Sequence, residues 1–119
     1  AGPRRLEVRF AAGATTLSPA AAQVVTSLAK SVHRTPETSF EVEAHAPATG
    51  DDPSTARRLS LARTLAIRAA LIEAGVPAAS VYMRALGAPP PSEAADADRA
   101  RITVMGLAPS PVPQQAKQP

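Results

Sequence analysis

Glu41 to Ala69 reads EVEAHAPATGDDPSTARRLSLARTLAIRA. Phe40, Val42 and Ala44 alternate with Glu41, Glu43 and His45, the two-residue period of a half-buried strand. The pattern breaks at a Pro/Gly/Asp loop, Ala46 to Thr55, and resumes with helical spacing from about Thr55 to Ala74. Leu61, Ala62, Leu65, Ala69 and Ile72 share one face of that helix, and the spacing predicts that this face packs on a sheet. A strand passing to a helix through a loop of exposed backbone can form an anion-binding corner, because the first turn of the helix has unpaired N–H groups. Arg63 lies away from the Leu65 stripe, beside Ser60 and Ile67 and roughly one turn into the helix. A guanidinium there would take a carboxylate in a bidentate fashion.

The flanking sequence supplies the remaining elements. Leu6, Val8 and Phe10 alternate with Glu7 and Arg9 in an opening strand. Ser18-Pro19 then starts a helix, serine at the N-cap and proline at the first helical position. Its predicted apolar face is Ala21, Val24, Val25, Leu28 and Val32, and Thr35-Pro36 closes it. Gly75 followed by Pro77 stops the long helix. Val81, Met83 and Ala85 mark the inward side of a third strand, Pro89-Pro90-Pro91 a linker, and Ile102 and Val104 a fourth strand. The order β-α-β-α-β-β, with right-handed crossovers, predicts an α+β two-layer sandwich: a mixed sheet of four strands with two helices on one face. Residues 1–106 form this domain, and the Pro/Gln-rich residues 107–119, without periodicity, read as a disordered tail or linker.

Composition narrows the function. The chain has 119 residues, no cysteine, no tryptophan and a formal net charge of +3. That length suits one modest core, filled here by Val, Leu, Ile and Ala. Without cysteine there are no disulfides and no thiolate metal sites. Acids and bases are interspersed and aromatics few, so there is no nucleic-acid footprint. The most apolar stretch, Leu59 to Ala74, is interrupted by Arg63, Arg68 and Glu73 and cannot insert into a membrane. The first residues, AGPRRLEVRF, are not a signal peptide, so the chain reads as a fragment or mature form whose anchor, if any, lies outside it.

No catalytic constellation is visible, and no cofactor is implied. His33 falls near the end of the first helix, where a cation suits the dipole, and His45 ends a strand as a loop hydrogen-bonder. Ser60 has no histidine partner within sequence reach. Asp51-Asp52 offers too few oxygen ligands for calcium, and Asp52 or Ser54 is better placed to cap the helix, with Pro53 setting the turn. Arg57, Arg58, Arg63 and Arg68 against Glu73 give the long helix a net charge of +3.

These features resemble a known family. OmpA-like domains, the peptidoglycan-binding modules of bacterial envelopes, show a strand ending in Gly-His-Thr-Asp, a glycine three residues later, an asparagine, and Leu-Ser-x-x-Arg-Ala opening the helix. This chain has Ala44-His45-Ala46-Pro47, then Gly50, then Leu59-Ser60-Leu61-Ala62-Arg63-Thr64. Gly75-Val76-Pro77, Leu86-Gly87, Leu17-Ser18-Pro19 and Asp98-Arg99-Ala100-Arg101-Ile102 resemble further family signatures in the same order. The resemblance implies a non-enzymatic periplasmic domain. It also implies that Arg63 contacts a carboxylate of the diaminopimelate in the stem peptide, with Gly50 and Asp51 backbone assisting and His45 lining the site. The family's aspartate, which takes the ammonium, is replaced here by Pro47, and its asparagine by Thr55 or Ala56. Loss of one partner of such a pair costs about 2–5 kcal/mol, which implies weakened or altered binding unless Asp51 or Asp52 replaces the acid. The alternative is a scaffold that keeps the fold and binds an envelope protein instead of peptidoglycan.

Overall fold

The structure is a computed structural model that describes residues 4–32, 34–48 and 53–106. His33, the loop residues Gly50, Asp51 and Asp52, and the tail 107–119 lie outside the described residues. Strand β1 (Arg4–Arg9), helix α1 (Pro19–Ser31), β2 (Ser39–His45), α2 (Pro53–Glu73), β3 (Val81–Gly87) and β4 (Arg99–Met105) follow the predicted order. Short 3-10 segments at Ala78–Ser80 and Pro91–Asp96 join the later elements, the second occupying part of the expected Pro-rich linker.

The sheet order is β1-β4-β2-β3. β4 pairs antiparallel with both β1 and β2, and β2 pairs parallel with β3. β1 and β2 are therefore parallel but separated by β4, which enters between them from the far end of the chain. One face of the sheet, with Val8, Phe40, Val42, Ala44, Ala100, Ile102 and Val104, packs against the helices. The other face carries interleaved charges, such as Arg84–Glu43 at 3.0 Å and Arg99–Glu7 at 3.3 Å. Such exposed pairs contribute little energy each, but they keep the uncovered side of the sheet hydrated.

Local signals set the helix boundaries. Ser18 caps α1, its Oγ accepting from the Ala21 N–H at 3.1 Å. At the end of α2, Gly75 adopts φ +105°, and its N–H and that of Val76 donate to the Ile72 and Leu71 carbonyls, the paired bonds of a Schellman stop. α2 begins at Pro53, so Ser54 lies within the first turn instead of capping it, and its Oγ accepts from Arg58.

The buried faces correct the sequence reading. α2 turns Ala56, Ser60, Arg63, Thr64, Ile67 and Leu71 inward. Leu61, Leu65 and Ile72, expected on the sheet, are 45%, 44% and 37% exposed, and Ala69 is exposed too. The inward face contains three polar residues, so a count of apolar periodicity selects the outer stripe. Val24 of α1 is likewise exposed, and Val32 is the extended residue after a helix that ends at Ser31. Met83 is exposed because β3 lies at the sheet edge, paired among the described residues with β2 alone.

Candidate functional site

The carboxyl ends of β1, β2 and β3 and the amino end of β4 meet at one end of the sheet, and α2 passes over them. Arg63 projects into this junction and is 0% exposed. Its Nε donates to the Ala14 carbonyl at 2.8 Å, Nη1 to the His45 carbonyl at 3.2 Å, and Nη2 to the Ala11 carbonyl at 3.3 Å. Nη2 also lies 3.0 Å from Asp98 Oδ1, and the guanidinium stacks 4.9 Å over the Phe10 ring centroid. A buried guanidinium is tolerated only where its donors are satisfied and its charge is balanced. Here the β1–α1 loop, the end of β2 and the start of β4 supply those partners together.

Asp98 is the group that sequence reasoning missed. Its side chain is 32% exposed, while Oδ1 is buried and accepts no hydrogen bond, so its attraction to Arg63 is Coulombic. Its carbonyl accepts from the Phe10 N–H at 2.9 Å, continuing the β1–β4 pairing by one residue and fixing the carboxylate beside the arginine. The signal was present only as the first residue of the Asp98-Arg99-Ala100-Arg101-Ile102 run. Nothing local in the sequence places that run against Arg63; the antiparallel return of β4 does.

The other expected site residues separate. Arg63 is ten residues into α2, about 15 Å along its axis from Pro53, so it does not share a corner with the first turn of that helix. His45 contributes its carbonyl to Arg63, but its ring turns to the outer side of the sheet. There Nδ1 lies 3.2 Å from the Gly87 carbonyl, and the ring lines a small recess with Glu43, Arg99 and Arg101. A register shift between Ala44 and His45, pairing His45 with Gly87, accommodates this. Gly87 is tied to α2 as well, its N–H donating to Ser60 Oγ at 3.0 Å. Ser60 thus performs a structural task, and its Oγ donates in turn to the Arg57 carbonyl at 2.9 Å.

Pro47 lines an apolar cleft of about 360 Å³ with Ala48, Ala88, Pro89, Pro91, Ala94 and Ala97. Ala97 precedes Asp98, so the cleft adjoins the charged junction. Among the described residues, no group of three or more His, Cys, Asp or Glu side chains is placed to hold a metal ion, and no helix is long and apolar enough to cross a membrane.

Known structures share this architecture. The OmpA-like domain of FopA1 from Francisella tularensis superposes with a TM-score of 0.65 at 14% identity, covering 91% of this chain and 76% of that one. The peptidoglycan-associated lipoprotein of Burkholderia pseudomallei gives a TM-score of 0.66 at 18% identity, covering 83% and 89%. The periplasmic domain of Helicobacter pylori MotB gives 0.66 at 14% identity, covering 97% and 82%. At these identities the likeness is one of fold. No curated protein sequence matches the chain. The sequence model of the OmpA family matches residues 9–105, which include Arg63 and its partners Phe10, Ala11, Ala14, His45 and Asp98. The chain belongs to the OmpA family.

Proposed function

We propose that this chain is a non-catalytic, periplasmic domain of the bacterial cell envelope whose binding to the peptidoglycan stem peptide is weakened relative to domains that keep the full family motif. Family membership supports the envelope assignment. The observation that carries the weakening is the state of Arg63: the position that matches the family's carboxylate-binding arginine is wholly buried and already faces Asp98. A ligand carboxylate would reach the guanidinium only by displacing Asp98 or one of three carbonyls. Pro47, at the position of the family's acid, offers apolar surface and no charge. Gly50, Asp51 and Asp52 remain proposed loop contributors to whatever binding persists, and His45 contributes through its backbone.

Sedimentation with purified, diaminopimelate-containing sacculi tests this reading. The wild-type chain is expected to bind weakly, and Pro47→Asp, which returns an acid to the end of β2, is expected to tighten binding by about tenfold or more. Tight wild-type binding, or no response to Pro47→Asp, would sink the proposal. The second reading, a module that binds an envelope protein, is favoured by a different observation: the apolar stripe left uncovered on α2.

A further inference from the structure

The outer stripe of α2 has a regular composition. From Leu61 the positions Leu65, Arg68 and Ile72 follow at steps of four, three and four, the spacing with which one helix presents a seam to another. Leu61, Leu65 and Ile72 are all exposed by more than a third, although aliphatic residues at this spacing are ordinarily buried. The seam covers about 16 Å of helix axis. Arg57 and Arg58 stand exposed at its amino-terminal end, Arg68 sits half-buried within it, and Glu73 is the single acid of either helix.

We infer that the outer face of α2 is a docking surface for an acidic amphipathic helix, one that presents leucine-type residues to Leu61, Leu65 and Ile72 and carboxylates to Arg57, Arg58 and Arg68. Charge complementarity selects this occupant. A second copy of the chain meeting this face through its own α2 would bring three arginines and one acid against three arginines and one acid, gathering like charge. α1 offers no acid at all. An anionic membrane suits the charge but not the shape, because three aliphatic side chains that are each more than half covered give no wedge to insert, and the face has no aromatic. The inference rests on the outer face of α2 and not on the Arg63 junction, so it can fail while the stem-peptide reading stands, and the reverse.

The probe is a three-heptad peptide with leucine at its a and d positions and glutamate at e and g, titrated into the isotope-labelled full chain and followed by amide chemical shifts. Saturable shifts centred on residues 57–73 are expected, with binding weakened by added salt. Arg58→Glu/Arg68→Glu is expected to weaken binding by about tenfold or more, and Leu61→Ser/Leu65→Ser to abolish it while the circular dichroism spectrum stays that of the wild type. Three arms can overturn the inference: equal binding of the same peptide with lysine for glutamate, co-sedimentation with phosphatidylglycerol vesicles in place of peptide binding, and a dimer of the chain alone in sedimentation equilibrium that Leu65→Ser dissolves. Absence of saturable shifts overturns it as well.

Discussion

The two sides of α2 invert the usual arrangement of an amphipathic helix. The side against the sheet buries Ser60, Arg63 and Thr64 among its apolar residues, while the side toward solvent displays Leu61, Leu65 and Ile72. The inward polar groups are all engaged. Ser60 receives the Gly87 N–H, Thr64 Oγ1 donates to the Leu61 carbonyl at 2.7 Å, and Arg63 joins three carbonyls and Asp98. Burial of a polar group is costly only when it lacks a partner. The inward face thus gains positional definition, since α2 is hydrogen-bonded to the β1–α1 loop and to the ends of β2 and β3, and charge-paired with Asp98 just before β4, and not merely packed on them. The outward face keeps apolar surface that the other described residues leave exposed.

The largest effect that separates the two faces is expected at Arg63. Arg63→Met retains side-chain volume but removes the guanidinium donors from the Ala14 and His45 carbonyls, leaves the Ala11 carbonyl only the Ala14 N–H, and strands the Asp98 charge. Removal of one member of a fully buried charge pair costs about 3–5 kcal/mol. With Asp98 32% exposed the loss is expected toward the lower end of that range, still a large part of a stability of about 5–15 kcal/mol for a domain of this size. Urea unfolding measures it. The same substitution in an Asp98→Asn background should cost less, because part of the loss is the stranded carboxylate; the coupling between the two positions is expected at about 0.5–3 kcal/mol. A loss below about 1 kcal/mol for Arg63→Met would mean that the inward face is held by packing alone.

The inversion also explains which parts of the molecule can be read from sequence. Strand alternation at Phe40, Val42 and Ala44 and at Ile102 and Val104, the Ser18-Pro19 start and the Gly75 stop all depend on residues within a few positions of one another. Each was legible. The orientation of α2 was not, because Arg63 is held by residues 49 to 52 positions earlier in the chain, by His45, and by Asp98 far downstream. Without those partners an arginine belongs on the solvent side, and Leu61, Leu65 and Ile72 present the more apolar stripe. The same limit applies to the site. That Pro47 stands where the resemblance leads one to expect an acid was visible in the motif, whereas the carboxylate that faces Arg63 comes from another element and the β1-β4-β2-β3 order places it there.

A smaller but sharper probe of the inward face is Ser60→Ala. It removes one oxygen, creates little space, and leaves the buried Gly87 N–H without an acceptor. A stranded buried donor costs about 1–3 kcal/mol, and the change should be visible both in urea unfolding and as faster exchange of the Gly87 amide hydrogen. Unchanged exchange at Gly87 would show that this amide does not depend on the α2 contact.

The smallest effect is expected on the outer face, where Leu65→Ala can be set beside Ile67→Ala two residues away. Ile67 is fully buried, and deletion of its side chain to the β-carbon should cost about 2–5 kcal/mol through lost burial and the cavity left behind. Leu65 is 44% exposed, its neighbours can relax toward solvent, and alanine is the better helix former, so the same kind of truncation should cost less than about 1 kcal/mol. Both values come from one urea series. If Leu65→Ala were as damaging as Ile67→Ala, the outer stripe would have to be part of the domain's own core, and the inversion of the helix would be refuted along with the docking surface that depends on it.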